Sequence, residues 1–153
     1  MHRLLTTGVV LLAIACFPPV PQPPEPLSLH VADPPPDVIR RAAVALTGAG
    51  FRVAQGDSIG QTISANRLSA GNGNEDFVTC SLPRNAGAVA NRETTVTIDL
   101  QAKPADRGSN VTIKGRVRTS YPGYEGTAMQ MPPNDTDCVS SGAMEQRLAD
   151  AIR

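Results

Sequence analysis

Hydrophobic and polar residues alternate most strictly in two neighbouring stretches. In the first, Thr94, Val96, Ile98, Leu100 and Ala102 interleave with Thr95, Thr97, Asp99 and Gln101. In the second, Val111, Ile113, Gly115 and Val117 interleave with Thr112, Lys114, Arg116 and Arg118. A period of two is that of a strand with one buried and one solvated face. Residues 104–109 lie between them and are rich in turn formers, so the pair reads as a β-hairpin. With a six-residue loop, Lys103 opposes Asn110 and Asp99 opposes Lys114. The second pairing joins opposite charges on the wet face and is worth at most about 1 kcal/mol. A slip of one residue would break it.

Elsewhere the period changes. In residues 37–50, Val38, Ala42, Ala45, Leu46 and Ala49 recur at three and four positions, which predicts a helix with one apolar face. Asp33 or Asp37 can serve its start, and Gly48 and Gly50 mark its stop. Short strands are predicted at 51–53, at 59–67 with Ile63 and Ala65 inward, and at 75–82 with Val78, Cys80 and Leu82 on one face. The last element is a helix over 141–152, with Met144, Leu148, Ala151 and Ile152 as its stripe and Glu145, Gln146, Arg147 and Asp150 facing out. Ser140 or Ser141 can cap it. One-sided strands need a cover, and two one-sided helices supply it. The predicted class is therefore α+β. It is a two-layer sandwich, with an antiparallel sheet of about five strands covered on one face by an N-terminal and a C-terminal helix.

The first residues follow neither period. Met1-His2-Arg3 gives a short positive start, and residues 4–15, LLTTGVVLLAIA, are apolar and end in small residues before Cys16. This is the layout of a secretory signal and is shorter than a spanning helix. Leu12-Ala13-Ile14-Ala15-Cys16 resembles a bacterial lipobox, where signal peptidase II cleaves before a cysteine that is then lipidated. The resemblance covers residues 1–16 and departs from the usual pattern at Ala13, where Leu is commonest. It implies a bacterial lipoprotein with acyl chains such as palmitate on Cys16, tethered to the membrane rather than spanning it. The alternatives are ordinary secretion, giving a soluble or periplasmic protein, and a buried N-terminal helix. Residues 17–36 hold nine of the chain's 14 prolines. Proline fixes φ and removes a donor, so this stretch reads as an extended spacer. The predicted organisation is thus a signal peptide at 1–15, a lipidated cysteine and spacer at 16–36, and one domain at 37–153.

Charge and composition remove several functions. The chain has 14 basic and 14 acidic side chains, no Trp, two Tyr and three Phe. A nucleic-acid binder normally shows a basic excess, and single-strand binders need aromatic platforms. His2 and His30 both lie outside the predicted domain, which removes the general base of a serine or cysteine triad. Lys103 and Lys114 fall on the wet part of the hairpin, where a solvated lysine is expected rather than a serine–lysine dyad. No zinc spacing or phosphate-binding glycine motif occurs, so no metal and no cofactor is expected. Asn72, Asn74 and Asp76 alternate as in a calcium loop, but Phe77 and Pro83 stand where that loop needs Gly and Glu.

Cys80 and Cys138 are the two cysteines of the predicted domain, and in a secreted protein they read as a disulfide. Closing a loop of roughly 59 residues predicts about 4 kcal/mol from chain entropy. Two contact candidates remain. One is the basic stripe Lys114, Arg116 and Arg118. The other is the long segment 121–137, in which Tyr121, Tyr124, Met129 and Met131 have adaptable or amphipathic side chains. The sequence therefore points to a non-catalytic, envelope-anchored lipoprotein that acts as a binding or accessory module for another envelope protein. Its expected partners are the membrane, through the anchor, and such a protein, with no nucleic acid. The alternatives are a small-ligand carrier, with Ile63, Val96 and Leu148 lining a pocket between helices and sheet, and a hydrolase.

Overall fold

The computed structural model describes residues 22–54, 61–70, 73–80, 92–120 and 138–153. Among these, seven strands and two helices follow in the order β1 (Leu27–Val31), α1 (Pro35–Gly48), β2 (Arg52–Ala54), β3 (Thr62–Ala70), β4 (Val78–Cys80), β5 (Glu93–Ala105), β6 (Gly108–Ser120), β7 (Cys138–Ser140) and α2 (Ala143–Ile152). The fold is α+β with antiparallel pairing. Five strands form one sheet in the order β1-β6-β5-β3-β2, and β4 pairs with β7 in a second sheet of two.

The β5–β6 hairpin has the register that alternation predicts: Lys103 faces Asn110 and Asp99 faces Lys114. Its turn is tighter than expected. Pairing continues to Ala105 opposite Gly108, leaving Asp106 and Arg107 at the tip. Pro104 is tolerated inside β5 for a local reason. The N–H of Ala102 reaches the carbonyl of Gln61, just before β3 begins. Position 104 points the same way, beyond the described β3–β5 ladder, whose last pair is Thr62 with Gln101.

The main departure from expectation lies in the proline-rich stretch. Leu27–Val31 is an edge strand, with Leu29 opposite Val111 and Val31 opposite Ser109. The five residues LSLHV sit between Pro26 and Pro34 and contain no proline themselves, so their donors can enter a ladder. Val31 is buried, and Leu27 and Leu29 pack against the core. The extended-spacer reading therefore does not hold for residues 27–36. Of the predicted strand at 75–82, residues 78–80 form β4, which pairs with β7 outside the main sheet, and residues 81–82, with Leu82, lie outside the described residues.

Helix α1 starts two residues earlier than expected, with prolines in its first turn, where a missing N–H costs no helical bond. No side chain caps it; Asp33 pairs with Arg41 and Asp37 with Arg40 instead. Its end is a Schellman motif. Gly50 adopts a left-handed φ of 79°, its N–H meets the Thr47 carbonyl, and the Phe51 N–H reaches back to Leu46. Helix α1 lies against β2, β3, β5, β6 and α2, and α2 also lies against β1 and β6. Val38, Ala42 and Leu46 of α1, Met144, Leu148, Ala149 and Ile152 of α2, and the inward residues of β3, β5 and β6 form one continuous core.

Two predicted positions on α2 are corrected. Ala151 is exposed and Ala149 is buried. Glu145, expected outside, is only 5% exposed. The inward face is Met144, Glu145, Leu148, Ala149 and Ile152, so the expected stripe loses Ala151 and gains Glu145 and Ala149.

Candidate functional site

Cys80 and Cys138 are directly opposite each other in the β4–β7 pair and are joined by a disulfide, their Cα atoms 3.9 Å apart. Cys138 is buried. The bond joins the β4 segment to β7, which lies beside β6 and leads within two residues into α2. The disulfide expected from the two cysteines is thus present, and it acts through the small sheet.

Below this staple lies a polar contact that sequence reasoning missed. The Ser140 hydroxyl donates to Glu145 Oε1 at 2.6 Å and accepts the Gly142 N–H at 3.2 Å. The Ser141 hydroxyl likewise accepts the Ala143 N–H. Neither serine is the cap that the sequence suggested: Gly142 occupies that position, and the two hydroxyls accept N–H groups from Gly142 and Ala143 at the entry to α2. Glu145 fits against the sheet because Gly115 of β6 has no side chain: a Cβ there would strike Glu145 Oε1, with Glu145 Cδ and Ser140 Oγ each 2.8 Å away. The second oxygen, Oε2, is buried without a partner. The available signal was Gly115, which interrupts an otherwise β-branched inward row.

A second buried polar group lies at the open end of the hairpin. Thr94 and Thr119 face each other across β5 and β6, and Asn74 Nδ2 donates to the Thr94 carbonyl at 2.9 Å. Both hydroxyls and Asn74 Oδ1 lack partners. Asn74 is turned inward here while Asp76 is exposed, so these two members of the calcium-like spacing do not converge. Among the described residues, no three His, Cys, Asp or Glu side chains gather as metal ligands.

Nearby, Phe77 meets Phe51 edge-on at 5.8 Å, and the guanidiniums of Arg67 and Arg147 lie 5.2 and 5.3 Å from its ring centre. Such contacts are worth roughly 0.5–1 kcal/mol each at partly exposed sites. They pin the β4 side to both β3 and α2.

The basic stripe lies where expected, on the exposed face of β6. Arg116 pairs with Asp99 at 2.6 Å, and Asp99 also accepts from the Ser64 hydroxyl at 2.8 Å. Asp99 thus has Lys114 as its register partner, but the ion pair runs diagonally to Arg116. Cross-strand registers place Arg52, Asn66, Thr97 and Arg116 in one row, and Leu68, Thr95 and Arg118 in the next. Lys103 is exposed on the same face. Sequence reasoning placed Lys103 and the three stripe residues on the wet side of the hairpin; Arg52 joins them only through the pairing.

His30 is exposed on edge strand β1 and bonds to Asn110 at 3.2 Å. Among the described residues, two hydroxyl–carboxylate pairs occur, Ser64–Asp99 and Ser140–Glu145, and His30 is a partner of neither. Ile63, Val96 and Leu148, the suggested carrier lining, belong to the continuous core. Cys16 and the contact candidates Tyr121, Tyr124, Met129 and Met131 lie outside the described residues. No helix among the described residues is long and apolar enough to cross a membrane. No protein-family model matches the chain, and no curated protein matches it.

Proposed function

We propose that the chain is a bacterial envelope lipoprotein, lipidated on Cys16 and facing away from the cytoplasm. Its domain acts without catalysis, as a binding or accessory module for another envelope protein. The observation that carries this reading is the N-terminal layout. A lipobox-like segment is followed by ten residues, 17–26, that lead directly into edge strand β1. The domain thereby hangs from its sheet edge by a short chain. At about 3.1 Å per residue this spans roughly 31 Å, half the reach of a spacer running to Pro36. The disulfide supports an oxidising compartment outside the cytoplasm.

We further infer a two-layer sandwich, with both helices on the inner face of the five-stranded sheet. Support comes from the single core shared by α1, α2 and the inward strand residues, and from the polar character of the opposite face. The absence of catalysis is supported by the burial of Ser140 against Glu145, which leaves that hydroxyl no access to a substrate. The carrier reading has weaker support, because its suggested lining residues are packed core.

Metabolic labelling of the host with an alkyne-bearing palmitate tests the anchor. The expected result is a labelled protein in the membrane fraction, with both label and fractionation lost in Cys16→Ser. An unlabelled chain recovered wholly in the soluble fraction overturns the anchor and leaves secretion. Gentle detergent extraction followed by mass spectrometry tests the module: a stoichiometric envelope protein is expected, and a clean monomer overturns it.

A further inference from the structure

We propose that the outward face of the five-stranded sheet rests on anionic lipid headgroups of the membrane that holds the anchor. The proposal depends on the lipoprotein reading for its tether, and on the geometry of the sheet for its surface. The chain as a whole carries equal numbers of basic and acidic side chains, yet this one face does not. Arg52, Lys103, Lys114, Arg116 and Arg118 project from it, against Glu93 and Asp99. Both lysines of the protein are there. One of the two exposed large apolar side chains among the described residues, Leu68 at 64%, stands in the same row as Arg118.

The character of this face favours a bilayer over a protein. Protein contact sites concentrate their energy in aromatic anchors seated in pockets. The residues around these cations are Ser28, Thr62, Asn66, Thr95, Thr97, Gln101 and Thr112, small or polar groups on a broad sheet. Five strands at about 4.8 Å spacing span roughly 19 Å, wide enough to cover several headgroups at once. A spread of cations with a single protruding aliphatic side chain suits a surface of mobile phosphates, each able to move to a cation. It does not suit a rigid partner that must match every group.

The tether supplies the second argument. Strand β1 continues from the N-terminal chain and pairs directly with β6, the strand bearing the basic stripe. The anchor therefore pulls on the sheet edge nearest the β6 stripe, with Lys103 one strand further in and Arg52 on the far edge. With eleven residues from Cys16 to Leu27, chain geometry allows at most about 40 Å. So close a tether makes headgroup contact an intramolecular event at high effective concentration, so that weak single contacts suffice.

The test uses the full chain as recovered from its host. It is placed on phosphatidylcholine vesicles, or on vesicles rich in phosphatidylglycerol. Acetylation of Lys103 and Lys114 is followed by mass spectrometry, and affinity by flotation. The expected result is slowed acetylation of both lysines on the anionic vesicles alone, reversed at high salt. The variant Arg52→Glu with Lys114→Glu should lower vesicle affinity by at least about 25-fold, about fivefold per lost contact. An Arg153→Glu control just after α2 should leave it unchanged, and unaltered urea midpoints confirm folding of each variant. Three results overturn the proposal: equal protection on neutral vesicles, protection that survives the charge reversal, or binding to an acidic polypeptide with none to vesicles. If the chain proves unlipidated yet shows the expected protection when added to vesicles, the face stands and the anchor falls. If it is lipidated and inserted but both lysines react freely, the anchor stands and the face falls.

Discussion

Substituting Gly115 by Ala tests the packing of α2 on the sheet at a single atom. The new methyl would collide with Glu145 Oε1 and stand 2.8 Å from both Glu145 Cδ and Ser140 Oγ, all of them buried. Overpacking of this kind costs about 1–3 kcal/mol. Moving Glu145 aside also breaks the Ser140 bond to its carboxylate, worth about 1.5–3 kcal/mol. Replacing a strand glycine returns about 0.5–1 kcal/mol of chain entropy. The net expected loss is about 1.5–5.5 kcal/mol, which at a urea slope near 2 kcal/mol/M lowers the midpoint by about 1–3 M. Urea unfolding without reductant, followed by circular dichroism, measures it. Adding Glu145→Ala removes the main obstacle and frees the Ser140 hydroxyl, which loses its carboxylate partner, to turn away, so the cost of Gly115→Ala should fall to near zero in that background. An equal loss in both backgrounds would refute the collision with Glu145, and an unchanged midpoint in the single variant would refute the close packing.

Reducing the Cys80–Cys138 bond, or replacing both residues by Ala, should cost about 3–4 kcal/mol, read as a lower urea midpoint. A chain beginning at Asp37 lacks β1 and uncovers the β6 edge; hydrogen exchange should show faster exchange across residues 109–113, and unchanged rates would mean that β1 contributes nothing. Gly108→Ala forces a side chain onto a φ of 98° and against the Val31 carbonyl; a loss of at least about 1 kcal/mol, with faster exchange in β1, is expected from chemical denaturation and exchange rates. Thr119→Val removes a buried hydroxyl without a partner and should leave stability equal or about 1 kcal/mol higher; a loss of that size would reveal a bridging water between Thr94, Thr119 and Asn74.

The features legible in the sequence are those set by neighbours along the chain. Strict alternation in 94–102 and 111–118 determined the hairpin register, because a one-residue slip would turn Val96, Ile98, Val111 and Ile113 to water. The stripes of α1 and α2 were readable for the same reason, to within two residues at each end. Pairing of Cys80 with Cys138 followed from compartment and count. The rest was decided by contacts between residues far apart in sequence. LSLHV becomes a strand because β6 offers an unpaired edge, a fact written nowhere near residue 27. Residues 78–80 leave the main sheet because Cys138 stands opposite Cys80, so the expected five strands became a different five. Glu145 looks like a solvent-facing helix residue until Gly115, thirty positions earlier, opens the space that receives it. Local periodicity reports which side of an element is apolar. Only the tertiary arrangement decides which element that side meets, and so which polar groups are buried and which cations share a face.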